Sequence, residues 1–406
     1  MTNQLLLMLW FGVVVGEPVP NVVEIQKSPA ENIVTLAGPT QGTTYHIKYV
    51  PLPESLPVTE IHAEIDSLLS EIDGQLSTYR DDSVVARFNC SKSAEWYGVS
   101  PRVVKMLNIA ADISRRSGGT FDVTIAPLVE RWGFGREKHT FRVLTDEEIT
   151  DAQRLVGWEN LEIQNTPPAL RKKFGGLRID LNGIAPGFAV DEIFQLFNQR
   201  GIHNFLIELG GEVRSQGKNG LDQPWRVGIE RPIAEGGLLF SLPLTNESLS
   251  TSGDYRHCFE HDGRRYSHIL DPRSGWPISN AATAVTVVMP ECVQADAWTK
   301  PLLVLGPIEG LRLADELKIA ACFVLREPTI AGESPVFRTI ATKEFAARFA
   351  EVLASTDLSV RVMPSTTLSD ENLSPAWPSG AKTTSLVVLL VILLIAGVFH
   401  LLRFFR

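Results

Sequence analysis

Four short runs do most to limit what this chain can fold into: LRIDLNG (177–183), NFLIELGG (204–211), WRVGIERP (225–232) and AVTVVMP (284–290). Each is dominated by aliphatic and β-branched side chains and closes on Gly, Asn or Pro, residues that turn the backbone out of a ladder. They read as strands. Elsewhere the apolar period lengthens to that of a helix. Residues 58–76 carry Ile61, Ile65, Leu68, Leu69 and Ile72 at helical spacing, and 101–116 repeats the pattern. Further helices are expected over about 188–199, stopped by Gly201, and over about 293–304 and 308–317. Strands and helices so interleaved predict an α+β body, a mixed sheet with flanking helices.

The two ends do not fit such a body. Residues 386–402, LVVLLVILLIAGVFHLL, form an almost uncharged run long enough to cross a bilayer as a helix. A transmembrane helix is expected over 385–403. Arg403 and Arg406 follow it and only Lys382 stands close before it, so the tail is expected in the cytoplasm and the body on the exported, periplasmic side. Residues 356–384 are rich in Ser, Thr and Pro and read as a flexible tether. At the other end, LLLMLWFGVVV (5–15) is too short to span and resembles the apolar part of a signal peptide, though no basic residues precede it. The division expected is a hydrophobic segment at 1–16, a linker at 17–32 and one catalytic body at 33–355.

Charge and cysteine content exclude some classes. A formal charge of -9 without a basic block is not a nucleic-acid footprint. Cys90, Cys258, Cys292 and Cys322 are scattered, with no pair at metal-binding or redox spacing.

Several polar, glycine-rich segments are too elaborate for connectors: LSTYRDDSVVARFN (76–89), SGGTFDVTIAPLVERWGFG (117–135), IDLNGIAPGFAVD (179–191), IELGGEVRSQG (207–217), STSGDYRHCFEHDGRRYSHILDPRSGWP (250–277) and ADAWTKPLLVLG (295–306). Singly, each is weak evidence. In this order, and with TSGDYR followed by YSHILDPRSG, they resemble the ApbE-like FAD:protein FMN transferases over nearly the whole body. The resemblance implies a single α+β catalytic body. It also implies an enzyme that cleaves the diphosphate of FAD with Mg²⁺, attaches FMN through a phosphoester to a Thr or Ser of an acceptor protein, and releases AMP. A membrane electron-transfer component is the expected acceptor.

The same resemblance distributes roles. His268 falls at the catalytic base, and an imidazole near neutrality is suited to taking a hydroxyl proton. Tyr79, Thr120, Phe121, Asp122, Asp180 and Leu270 fall at the FAD site, together with Gln41, where a Met is usual. For Phe121 a place in the core, and for Asp122 and Asp180 the capping of a turn, are the plainer alternatives. The metal ligands implied are Asp296, the carbonyl of Gly183 and a Thr four residues after Asp296.

This chain has Lys300 at that last position. A charged lysine has no lone pair for a metal. Thr299, on the same helix face as Asp296, is one substitute ligand; an ammonium fixed near the diphosphate is another arrangement; loss of the metal is a third. Pro186 likewise replaces a lysine common in relatives, at a helix start where its missing N–H costs nothing. Two rival functions therefore stand beside the transferase: a metal-dependent FAD pyrophosphatase, and a non-catalytic flavin-binding protein.

Overall fold

A computed structural model describes residues 32–52, 56–136, 141–233, 236–255, 257–327, 336–355 and 360–361. The expected signal segment, most of the tether and the expected transmembrane helix lie outside these residues. Among the described residues no helix is long and apolar enough to cross a membrane.

The scaffold is a nine-stranded sheet whose strands run in the order Val34–Thr40, Thr43–Tyr49, Phe205–Leu209, Glu212–Gln216, Ser248–Gly253, Ala282–Met289, Ala320–Arg326, Phe337–Ala341 and Val360–Arg361. All neighbours are antiparallel except the last pair, which is parallel, so the sheet is mixed. Its middle is buried on both faces: Val285 and Val287 join one apolar cluster, Val288 the other. This is why AVTVVMP reads as continuous apolar sequence rather than as alternation.

Helices Val58–Leu76, Pro101–Arg116, Ala185–Gln199 and Cys292–Glu316 bring apolar side chains to the larger cluster. The hairpin Trp225–Glu230/Leu238–Leu244 and helix Lys343–Arg348 contribute to the opposite one. The helices at 58–76 and 101–116 end where their apolar periodicity ends. The expected pair at 293–304 and 308–317 is present: the span Cys292–Glu316 is two helices that meet at a kink at Gly306, whose φ of 73° and ψ of -171° are not helical.

One strand expectation fails. LRIDLNG is not in any ladder. Leu177, Ile179 and Leu181 do point inward and are buried. The backbone of Ile179, however, is satisfied by a side chain: Asn89 donates to its carbonyl and accepts from its N–H, each at 2.8 Å. The next amide, of Asp180, donates to the carbonyl of Val123 at 2.7 Å. An amide side chain therefore does the work of a neighbouring strand, and the chain is free to turn at 182–184 into a helix.

Candidate active site

That turn and two helices build the site. Ala185–Gln199 starts with Pro186 in its first turn and crosses Cys292–Glu316 closely, because Gly187 presents no side chain: a Cβ there would lie 2.6 Å from the Cys292 carbonyl oxygen and 2.7 Å from Cβ of Asp296. The long helix has no capping side chain of its own at Glu291. Asp191 supplies the cap from the neighbouring helix, accepting from the amides of Cys292 at 3.0 Å and Val293 at 2.9 Å. Its charge is also paired with Arg214. Asp296, four residues into the helix, is thereby held against the start of its neighbour.

Asp296 is fully buried. One carboxylate oxygen accepts from the amide of Gly187 at 2.9 Å, and the other is ion-paired with the Lys300 ammonium. That ammonium also donates to the Asp296 main-chain carbonyl at 3.0 Å. The lysine stem runs over Gly183, where a Cβ would stand 3.5 Å from Cε of Lys300 and 3.6 Å from the Phe121 ring. Thr299 turns the other way: its hydroxyl donates to the Asp296 carbonyl at 2.6 Å and shares a hydrogen bond of 2.7 Å with Ser252. Beside this pair, burial and then the nearby Asp296 charge push the Glu212 carboxyl up to about 8.

His268 lies half-buried just after the hairpin Cys258–His261/Arg264–Ser267, its amide donating to the His257 carbonyl. Its Nδ1 is 3.0 Å from the carbonyl oxygen of His257. A carbonyl can only accept, so Nδ1 carries the proton and Nε2 keeps the lone pair. Burial, foremost, and the nearby Lys300 charge hold its pKa down to about 4, so the ring is neutral at physiological pH.

The residues that the resemblance assigns to the flavin fall into two groups. Tyr79, about half exposed, accepts from Nδ2 of Asn182 at 3.4 Å, and the charge of Asp180 helps raise its phenol pKa, after burial. Asp180 accepts from the Asn182 amide at 2.8 Å, and burial lifts its carboxyl above the ordinary range. Phe121, Gly183 and Lys300 adjoin one another. Gln41 sits at positive φ in the two-residue turn between the first two strands, its amide on Asp73.

The second group is spent on its own architecture. Asp122 accepts from the Thr124 amide at 2.7 Å and hydroxyl at 2.6 Å, and from the Trp158 amide at 3.0 Å. Thr120 donates to the Ser117 carbonyl at 3.0 Å, and both residues are buried. Leu270 packs with Trp132 and Tyr266 in a third apolar cluster.

The family model described as "ApbE family" matches residues 41–323. The chain belongs to the ApbE family. A Vibrio cholerae protein named FAD:protein FMN transferase is 39% identical over 301 residues, spanning 74% of this chain and 89% of its own length. A Haemophilus influenzae protein of the same name is 34% identical over 300 residues, spanning 72% and 87%. The apo structure of Pseudomonas stutzeri flavinyl transferase ApbE superposes with a TM-score of 0.72 at 38% identity, covering 79% of this chain and 97% of its own.

Against the metal ligands that the ApbE resemblance implies, the residues here do not fit a divalent ion as they stand. Both carboxylate oxygens of Asp296 are engaged, the Thr299 hydroxyl is committed to Ser252 and a carbonyl, and an ammonium lies where a second cation would be repelled. Among the described residues no three His, Cys, Asp or Glu side chains cluster as metal ligands.

Sequence reasoning overlooked Glu212, Gly187, Asp191, Ser252 and the His257 carbonyl. All five lie inside the quoted segments. What singles them out is their partner, which is remote in the chain for all but the His257 carbonyl, whose partner His268 lies 11 residues on.

Proposed function

We propose that this protein is an FAD:protein FMN transferase. A Thr or Ser hydroxyl of an acceptor protein forms a new O–P bond to the FMN phosphorus of FAD. The bond from that phosphorus to the bridging oxygen breaks, and AMP leaves with the electron pair. The hydroxyl proton goes to Nε2 of His268. The single observation that carries this reading is that imidazole: its tautomer is set by the His257 carbonyl, and it is neutral, half-buried and beside a lysine ammonium. The names carried by the ApbE relatives support the choice of substrate. The test replaces His268 by Ala and follows the mass of an acceptor domain with FAD present. Loss of FMN addition, with FAD still bound, is expected; undiminished addition would sink the assignment of the base.

Mg²⁺ held by Asp296, Gly183 and Thr299 would lower the charge on the diphosphate, but the Asp296 carboxylate and the Thr299 hydroxyl are already engaged within the protein. For location, we infer that 386–402 anchors an exported body near a membrane electron-transfer acceptor. The support is the apolar run itself and the arginines that follow it. Protease added to intact spheroplasts should digest the body and spare a tag placed after Arg406. Protection of the body would reverse the orientation.

A further inference from the structure

We propose that Lys300 is the resident cation of this active site, holding the FAD diphosphate through its ammonium, so that FAD binds without a divalent metal ion. The inference rests on FAD being the substrate. It stands on three features of the geometry.

First, the ammonium is fixed by two oxygens of one residue: a carboxylate oxygen and the main-chain carbonyl of Asp296. The other carboxylate oxygen is held by the Gly187 amide, so the pair cannot swing away without exposing a buried anion. Second, the stem is laid against Gly183, a position open enough that Cε passes over the backbone. Third, an ammonium has three donors. Among the described residues two are spent on Asp296, and the lysine side chain keeps 20% of its surface exposed while Asp296 keeps 1%. The third donor is the one assigned to the diphosphate.

The arrangement has a chemical logic. A divalent ion would need lone pairs, and Lys300 has none. An ammonium needs acceptors, and Asp296 gives it two while leaving its charge partly available to a diphosphate. Fixed cations on transferring phosphoryl groups are a recognised alternative to metal for lowering their charge. Thr299 has no part in it, since its hydroxyl faces Ser252.

The experiment uses the full-length protein in detergent, with FAD and Mn²⁺ as probes. FAD binding is read from quenching of flavin fluorescence in EDTA and again with excess Mg²⁺. Mn²⁺ binding is read from the free-ion signal in electron paramagnetic resonance. The dissociation constant for FAD should be the same in both buffers, and the Mn²⁺ signal should be undiminished by the wild-type protein. In Lys300→Thr, FAD affinity in EDTA should fall by on the order of tenfold or more, the scale of one charge-assisted hydrogen bond. The same variant should begin to take up Mn²⁺. Wild-type protein that binds FAD only with metal, or that removes Mn²⁺ stoichiometrically from solution, overturns the proposal whether or not the variant folds. Wild-type protein that binds no FAD in either buffer instead sinks the transferase reading beneath it.

Discussion

Two side chains, His268 and Lys300, carry most of what the site can do. Burial holds the His268 imidazole down to about 4, below its ordinary value near 6.5. The neutral ring therefore contributes stability above pH ~6.5 that is lost as pH falls through the folded value. FMN transfer should accordingly keep its rate from pH 7 to about pH 5 and fall only near pH 4; initial rates that halve near pH 6.5 would contradict the assignment. Lys300 poses the converse case. Lys300→Met leaves Asp296 buried and unpaired, which costs about 3–5 kcal/mol by the usual scale for a broken buried pair. Without its partner, the carboxyl has a folded pKa above the unfolded one, so stability is retained at low pH and lost as pH rises. Thermal melting should show a larger deficit against wild type at pH 8 than at pH 5. The sequence singles out the histidine only through the motif resemblance. The engagement of Lys300 with its own helix was not legible, because an (i, i+4) spacing allows the ion pair without requiring it.

Two helices place these side chains, and their junction is where the site is most easily broken. Asp191 caps the long helix from outside and pairs with Arg214, and both are largely buried. Asp191→Ala removes a cap, worth about 1 kcal/mol, and strands an arginine, worth about 3 kcal/mol or more. Urea unfolding should place the loss toward the larger figure, and a loss under about 1 kcal/mol would mean that the cap is incidental. Gly187→Ala drives a Cβ into the Cys292 carbonyl and the Asp296 side chain. Overpacking of this kind costs about 1–3 kcal/mol, and FMN transfer should suffer more than stability because Asp296 is what is displaced. A variant active at the wild-type rate would show that the helices have room to part. Helix positions were readable from periodicity because packing decides them locally. LRIDLNG misled because its alternation fixes which side chains face inward and says nothing about the hydrogen-bond partner; Asn89, 90 residues earlier in the chain, takes that place.

The molecule as a whole sets a broad sheet under helices and lets a few loops meet beside it. Composition and strand punctuation were enough for the α+β body. The order of the polar segments was enough for the family. The division of the residues assigned to the flavin was not readable: Asp122 and Thr120 lie in the same motif as Phe121, yet Phe121 adjoins Gly183 while the turn consumes the polar groups of the other two. Polar residues in glycine-rich turns often build the turn itself. In the reaction proposed, this body moves FMN onto a protein hydroxyl with His268 as the proton acceptor. The most direct test of this is the intact mass of a purified acceptor domain after incubation with the protein and FAD. A gain of one FMN phosphoester with release of AMP, abolished in His268→Ala, is expected. An unchanged acceptor mass beside bound FAD, or free FMN accumulating while acceptor is in excess, would contradict it.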